Sequence, residues 1–477
     1  MGDTQSEDTM NGHVEDINGK GTAEHESNMK EEEIDGRFSR RAIMVVFLSL
    51  LLDLLAFTMI LPLLPSLLDY YAQHDKGDGW YSMLQSGVNH FREFLGIPDT
   101  ERYNSVLFGG IIGSLFSFLQ FVASPVIGAA SDVYGRRPLM MLTMVGITSS
   151  YVMWALSHNF QLFVLARIVG GISKGNVSLS TTIITDVSTR KTRGKGMAMI
   201  GISFSLGFIV GPMIGALFAR SAAAQGGAFY VQPALFALFL AAADVLFVYM
   251  YLDETLPEEK RAQSFGNSFK EAQNLINPVS LFCFSAVKKT SKKDMSMLRL
   301  LGFIYFLYLF IFSGLEFTLT FLVHKRFQYT SIQQGRMFVF MGLIMALVQG
   351  GFVRRIKPGK EKRMAVMGMV ILMPSFLMIA NATTTTLFYA GLALFAFASA
   401  SVVPCMTTLV SVYGSADQKG TIMGIFRSLG ALSRAFGPVV SSAVYWAYGA
   451  STCYIAGSIL LVVPLFLFTM VKPQKMD

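Results

Sequence analysis

The chain alternates long apolar runs with short polar or charged connections over most of its length. About twelve of these runs approach the roughly 20 apolar residues that a helix needs to cross the hydrocarbon core of a bilayer. They lie near residues 42–68, 104–130, 138–157, 160–182, 195–219, 228–252, 299–323, 333–353, 363–381, 384–411, 419–447 and 450–472. The pattern predicts an all-α membrane protein with 12 transmembrane helices.

A polar stretch between the sixth and seventh runs divides the predicted helices into two six-helix bundles. The predicted divisions are a disordered acidic tail at 1–38, a first bundle at 39–252, a linker at 253–298, a second bundle at 299–472 and a short tail at 473–477. The first tail is predicted to be disordered because it contains almost nothing to bury.

Two connections are long enough to carry structure of their own. In the linker, Phe265, Phe269 and Ala272 recur at helical spacing beside lysines. That pattern predicts one amphipathic helix lying on the inner membrane surface. The connection at 69–103 is predicted to lie on the side of the membrane opposite the cytoplasm and to hold short helices, and no role is predicted for it.

An internal repeat supports the division into two halves. Lys195-Gly196 opens the fifth run, which continues to Gly211-Pro212, and Lys419-Gly420 opens the eleventh, which continues to Gly437-Pro438. The two runs are six apart, so the halves are predicted to be parallel repeats. Such repeats place a substrate site near the membrane midplane between the halves.

Composition agrees with a membrane protein. Hydrophobic residues make up 52% of the chain and charged residues 15%, whereas soluble domains carry roughly 25% charged residues. The three cysteines have no zinc or redox spacing, and no cofactor or metal motif is found. We therefore predict a protein that is not an enzyme and needs no cofactor.

The net charge of +8 does not indicate nucleic-acid binding, because the basic residues cluster in short connections, as is typical of cytoplasmic loops. The clustered residues are Arg37, Arg40, Arg41, Arg136, Arg137, Arg190, Lys191, Arg193, Lys195, Arg354, Arg355, Lys357, Lys360, Lys362 and Arg363. This distribution predicts that both termini are cytoplasmic. Lys325, Arg326 and Arg336 fall on the opposite side, so the rule is obeyed on balance.

The charged connection between the second and third runs reads GAASDVYGRRP. It presents a Gly, an Asp four residues on, a Gly three later and two basic residues, at Gly128, Asp132, Gly135, Arg136 and Arg137. This spacing resembles the loop between helices 2 and 3 of major facilitator superfamily transporters. The resemblance implies a gating latch between the halves, with Asp132 accepting hydrogen bonds from a helix N-terminus. A topology anchor with a turn is the alternative.

The fifth run contains LGFIVGPMIGA, with Gly207, Gly211, Pro212 and Gly215 at close helical spacing. It resembles the segment 5 motif of the antiporters, which within the superfamily is associated with exporters. Glycines four residues apart let two helices approach closely, and Pro212 permits a kink. These residues are assigned to gating.

Charged residues inside the runs are candidates for function, because charge in a membrane span is costly. Asp53, near the midplane, resembles the Asp in segment 1 of the 12-helix drug:proton antiporters, including the bacterial tetracycline exporters. We predict that Asp53 binds the coupled proton, that Arg167, which matches the segment 4 Arg of the family pattern, modulates it, and that Glu316 contributes from the seventh run. A structural ion pair is the alternative. Asp244 is expected nearer the cytoplasm, in a structural role.

Other polar and aromatic residues at similar depth are candidates for substrate binding. They are Lys174, Arg427, Arg434, Phe57, Gln120 and Asn176. The cations would attract an anionic substrate, and structural pairing with a buried acid is the alternative. For Gln120 and Asn176 the alternative is hydrogen bonding between helices.

The stretches GGISKGNVSLS, SGLEFTLTFLVHKRF and RYNSVLFGG resemble a vertebrate member of the same superfamily. That resemblance implies an organic-anion exporter. We predict a monomer in the lipid bilayer that exports small amphipathic organic anions by proton-coupled alternating access. A carrier of cationic drugs, polyamines or amino-acid derivatives, and a non-transporting receptor, remain alternatives. The sequence does not separate an intracellular vesicle, the nuclear membrane and the plasma membrane.

Overall fold

The computed structural model describes residues 37–75, 79–95, 104–188, 193–224, 230–287, 290–356, 359–411, 413 and 419–471, and these contain helices and no strand. The predicted tails fall largely or wholly outside the described residues, as do 189–192 and 357–358 of the basic connections. The first half contains α1 (Arg37–Thr58), α2 (Leu64–His74), α3 (Trp80–Leu95), α4 (Asn104–Tyr134), α5 (Arg136–Ala155), α6 (Phe160–Ser173), α7 (Asn176–Val187), α8 (Arg193–Ala224) and α9 (Val231–Tyr251).

The described residues of the linker and the second half also form helices. They contain α10 (Phe265–Gln273), α11 (Pro278–Cys283), α12 (Lys292–Phe327), α13 (Ser331–Gly351), α14 (Glu361–Ala380), α15 (Thr385–Ser411), α16 (Lys419–Leu460) and α17 (Val462–Thr469).

Eleven helical segments of the described residues are long and apolar enough to cross a membrane. One of them, Thr421–Thr469, contains Gly449 with a φ of 82°, which is not helical backbone. Because Gly reaches positive φ without a side-chain clash, the chain bends there and continues into another helix. The predicted twelve-helix layout therefore fits the structure.

Three predicted helices are broken. The first span ends at Thr58, and a turn at 59–63 precedes α2. The fourth divides into α6 and α7 at a turn formed by Lys174 and Gly175. The linker holds the two short helices α10 and α11 instead of one, because the chain turns at 274–277 and Asn277 caps the second helix.

The two copies of the repeat make equivalent contacts. In the first half α8 packs on α1 through its glycines and on α13 of the other half. In the second half α16 packs on α12 through Gly430 and Gly437 and on α4 of the other half. Each repeat helix thus lies between the first helix of its own half and a helix of the opposite half.

The outward side chains fit a lipid environment. Leu235, Phe239 and Leu246 of α9 are exposed and apolar, while the backbone polar groups are paired within the helix, as hydrocarbon requires. The described helices therefore have the lipid-compatible surface of an integral, multi-pass membrane protein.

Candidate functional site

A buried ion pair joins α1 to the break between α6 and α7. The Lys174 Nζ donates to both carboxylate oxygens of Asp53, at 2.7 and 2.8 Å. Asp53 is 3% exposed and Lys174 4%. Each charge therefore depends on the other, because a buried charge without a partner is strongly unfavourable. Sequence reasoning selected both residues, and the described structure has them in the pairing left open as an alternative.

Two aromatic rings lie beside Lys174 and the neighbouring Arg167. The Phe57 and Phe116 rings stack with centroids 5.4 Å apart. The Arg167 guanidinium lies 4.2 Å from the Phe116 centroid, and the Lys174 Nζ lies 4.7 Å from that of Phe57. Cations are attracted to the faces of aromatic rings. Within the described chain Arg167 forms no ion pair, so its charge is offset by ring faces and not by an acid.

The second half contributes three charged side chains that stay exposed in the middle of long helices. They are Glu316 of α12 and Arg427 and Arg434 of α16. Arg427 Nη1 donates to Thr181 Oγ1 of the opposite half, and Arg434 acts electrostatically on Glu316. Charged side chains in spans face the bundle interior or a water-filled space. These three therefore face the space between the halves.

The two uncharged polar candidates differ in their surroundings. Gln120 of α4 is half-buried. Asn176 is fully buried, and neither of its amide atoms has a hydrogen-bond partner among the described residues. The helix-to-helix hydrogen bond considered for Asn176 is therefore not seen in this part of the chain.

Arg136 is the centre of the charged connection between α4 and α5. Its Nε donates to Asp186 Oδ2 at 2.8 Å, and its Nη1 donates to Ser131 Oγ at 2.6 Å and to Asp132 Oδ1. Arg137 Nη2 donates to the Tyr249 carbonyl at 2.7 Å. Arg136 thus ties together the ends of α4 and α7.

Gly135 holds this connection in a tight turn with a φ of 100°, which favours glycine. Gly128, one helical turn before Asp132, has open space where a side chain would begin. Asp132 accepts from Arg136 instead of from a helix N-terminus within the described contacts, and its carbonyl accepts from the Ala262 N–H at 2.8 Å.

The acid that caps a helix N-terminus here is Glu254, which sequence reasoning missed. Glu254 Oε1 accepts from the Arg136 N–H at 2.9 Å, and Oε2 accepts from the Arg137 N–H at 3.2 Å. A carboxylate is favourable at the positive end of a helix dipole. The start of the linker is therefore fixed to the start of α5. The available signal was an acid just after the sixth run.

The glycine motif of α8 faces α1. Thr58 Oγ1 donates to the Gly207 carbonyl at 2.8 Å. A Cβ at Gly211 would overlap Thr58 and the Leu55 carbonyl of α1, and a Cβ at Gly215 would overlap the Met59 backbone just after α1. Pro212 lies inside α8 without ending it. The motif therefore sets the spacing between the helix that carries Asp53 and the helix that contacts the other half.

A second ionic cluster joins the halves at the end opposite the Gly135 turn. Asp69 of α2 accepts from His324 Nε2 at 3.0 Å and from Lys325 Nζ at 2.9 and 3.0 Å. Burial alone would raise the pKa of Asp69, but hydrogen bonds from His324 and Lys325 and the positive charge of Lys325 lower this pKa to about 2. At the same end Trp446 Nε1 donates to Asn104 Oδ1 at 2.9 Å.

The sequence signal for this cluster was Lys325, which broke the positive-inside pattern. Elsewhere in the described ranges, no group of three His, Cys, Asp or Glu side chains is arranged to hold a metal ion.

Comparison with known proteins identifies relatives of this chain. The model of the Major Facilitator Superfamily matches residues 46–438. Major facilitator superfamily domain-containing protein 10 of Mus musculus is 50% identical over 437 residues, covering 91% of this chain and 93% of the mouse protein. The class D tetracycline resistance protein of Salmonella ordonez is 26% identical over 404 residues, covering 83% of this chain and 87% of that protein.

A solved structure is also similar. The crystal structure of the human organic anion transporter MFSD10 (TETRAN) matches with a TM-score of 0.75 and 49% identity, covering 90% of this chain and 99% of that chain. These relatives confirm the predictions of a multi-pass membrane protein and of a transporter that is not an enzyme, and they favour a transporter over a receptor.

Proposed function

Because the chain belongs to the Major Facilitator Superfamily, we propose that it is a secondary active transporter that exports small amphipathic organic anions by proton-coupled alternating access. The similar human protein is described as an organic anion transporter. The proposed carrier works as a monomer with the two six-helix bundles at 39–252 and 299–472, and both termini lie in the cytoplasm.

The observation that carries the anion proposal is the charge facing the space between the halves. Asp53 and Lys174 neutralise each other, which leaves Arg167, Arg427 and Arg434 against Glu316. Three cations against one acid favour an anionic substrate. The rings of Phe57 and Phe116 beside Arg167 supply an apolar surface for the hydrophobic part of an amphipathic molecule.

The ion pair links the proton to the substrate. A proton on Asp53 removes the charge that holds Lys174, so Lys174 becomes able to bind an anion together with Arg427. An anion that draws Lys174 away leaves Asp53 buried without a partner, which raises its affinity for a proton. Proton binding and anion binding therefore favour one another through a single pair of side chains, so the proton and the anion cross the membrane together and export follows a proton gradient directed outward.

The two ends of the molecule supply the gates in this proposal. At the cytoplasmic end, the contacts of Asp132, Arg136 and Glu254 lie within the first half and the start of the linker, so we propose that they order that end, whereas Asp69 with Lys325 holds the two halves together at the outer end. The glycine face of α8 lets it pivot against α1 as the halves rock. Alternating access requires that the outer contact breaks when that end of the molecule opens.

A cationic substrate is the second candidate, and one observation favours it. Glu316 is exposed in the middle of α12 without a direct ion pair in the described chain, so it is able to receive a cation such as a drug or polyamine. Asp53 would then be the second acidic contact. The charge count above makes this the weaker candidate.

The test measures uptake into proteoliposomes under an imposed pH gradient, applied in each direction. Fluorescein serves as the anionic probe and tetraphenylphosphonium as the cationic probe. We expect gradient-driven fluorescein uptake by the wild type and at least a tenfold loss in Asp53→Asn, while counterflow exchange of fluorescein persists in the variant. Loss of the driving force with retained exchange assigns the proton to Asp53.

Two outcomes would contradict the proposal. Fluorescein uptake that is indifferent to pH in both proteins would exclude proton coupling. Uptake of tetraphenylphosphonium without uptake of fluorescein would replace the anion proposal with the cation candidate, and Glu316→Gln should then abolish that uptake.

A further inference from the structure

Asp244 of α9 is a buried acid that the transport cycle described above does not use. It is 2% exposed, and its Oδ1 is buried with no hydrogen-bond partner in the described structure. Sequence reasoning expected it nearer the cytoplasm, in a structural role. The structure instead has it lining the same cavity as Asp53.

That cavity is small and is lined by residues of the first half. Asp53, Asp244, Met144, Ile147 and Ala241 line it, and its volume is about 10 Å³. This volume is at the lower limit for one water molecule, and a water there has two carboxyl groups as partners. The other lining residues are apolar, and the Ser49 hydroxyl of α1 is a further polar group that acts on Asp244.

The protonation of the two acids follows from their partners. Asp53 has a cation as its partner, since Lys174 donates to both of its oxygens. Asp244 has no such cation, and an ionised carboxylate without a partner is very costly in a buried site. Of the two acids, Asp244 is therefore the one whose surroundings in the described structure favour a proton on the carboxyl group.

We propose that Asp244 is a second proton site of this transporter, which passes its proton to Asp53 across the shared cavity when Lys174 leaves Asp53. The O–H bond of Asp244 breaks as an O–H bond forms on Asp53, directly or through one water, and the negative charge moves to Asp244. The proposal rests on the proposed proton coupling and identifies where the proton is kept while Lys174 and Asp53 are paired.

Few other ionisable groups compete with this exchange. Among the described residues, Asp53 and Lys174 act on Asp244 electrostatically and the Ser49 hydroxyl acts on it at hydrogen-bond range. Tyr151 of α5 interacts electrostatically with both acids and with Arg167. On α8, the other helix packed against α9, the charged residues Arg193, Lys195 and Arg220 lie near the two ends. The proton balance of the cavity is therefore set by Asp53, Asp244, Lys174 and Tyr151.

The first experiment follows the proton itself. Infrared spectra of the purified full-length protein record the C=O band of protonated carboxyl groups at neutral pH, for the wild type, Asp244→Asn and Asp253→Asn. Asp253 is the matched control, since it follows the same helix but is exposed and faces Arg41. We expect the Asp244→Asn spectrum to lose part of the band and the Asp253→Asn spectrum to keep it.

An unchanged band in Asp244→Asn would overturn the proposal, because Asp244 would then be ionised. If the Asn variant does not fold, Asp244→Ser removes the carboxyl with a smaller side chain and gives the same comparison. This readout does not depend on any substrate.

The second experiment uses the fluorescein assay. We expect Asp244→Asn to lose gradient-driven uptake at least tenfold while counterflow persists, and Asp253→Asn to match the wild type. Loss of the infrared band with full gradient-driven uptake would overturn the proton exchange. Uptake by the wild type that ignores pH would instead contradict the proposed function itself, and the infrared result would still report whether Asp244 holds a proton.

Discussion

Lys174 and Asp53 are both buried away from solvent. Each charge therefore offsets the free-energy cost of burying the other. Replacing Lys174 by Gln leaves a buried carboxylate without its cation, and breaking a buried pair in this way costs about 3–5 kcal/mol. We expect Lys174→Gln to lower the free energy of unfolding by about that amount. The double variant Asp53→Asn/Lys174→Gln should recover much of it.

Thermal unfolding of the purified protein in detergent measures this effect for the two single variants, the double variant and Lys270→Gln. Lys270 is exposed on α10, so its variant controls for the loss of a positive charge alone. A double variant no more stable than Lys174→Gln would show that the pair does not account for the loss.

The sequence identified the members of this site better than their partners. Asp53, Arg167 and Lys174 stand out because a charge in an apolar run needs an explanation. Their contacts do not follow from spacing, since 121 residues separate Asp53 from Lys174. Glu254 was missed for the same reason: it caps the start of α5 from 118 residues away. Asp244 was placed by its distance from the end of the run, which does not reveal a shared cavity.

The contact between α8 and α1 depends on the absence of side chains along one face of α8. A Cβ at Gly215 would overlap the backbone of Met59, whereas a Cβ at Gly201 on the same helix meets nothing within 4 Å. Replacing Gly by Ala inside a helix normally stabilises the folded protein by about 0.5–1 kcal/mol. Crowding in a packed interface costs about 1–3 kcal/mol. We therefore expect Gly201→Ala to raise the thermal unfolding temperature and Gly215→Ala to lower it, and equal shifts would contradict a close contact.

The helices themselves were largely predictable, because their length is dictated by the thickness of the bilayer. The breaks were not. Long apolar runs cover the turn at 59–63 and the turn at Lys174 and Gly175 as if each were one helix. A helix broken at membrane depth is tolerated where neighbouring protein covers the freed backbone. That depends on the tertiary structure, so hydrophobicity along the chain does not report it.

At the scale of the whole molecule, the repeat explains why two helix pairs join the halves. Helix α8 packs on α13, and α16 packs on α4. Val439 N–H donates to Ser114 Oγ at 2.9 Å in one interface, and Ser205 Oγ donates to Gln349 Oε1 at 3.4 Å in the other. The ionic contact between the halves at the outer end, from Asp69 to His324 and Lys325, is placed to decide whether that end is closed.

The outer cluster gives a prediction about that choice. The pKa of Asp69 is lowered to about 2 from the usual 3.8, so its contact with Lys325 is fully formed above about pH 4 and is lost only as the pH falls through about 2. Acidification within the range of cell compartments should leave this end closed, whereas Asp69→Asn should open it at every pH. Hydrogen bonds to a charged group contribute about 1.5–3 kcal/mol, which predicts at least a tenfold shift in the ratio of open to closed molecules.

Electron paramagnetic resonance distances between labels at His158 and Asn381, in a Cys283→Ser background, measure the shift. Asp75→Asn is the control, because Asp75 accepts from the Phe160 N–H within the first half. Equal distance distributions in the two variants would show that Asp69 does not hold the halves together.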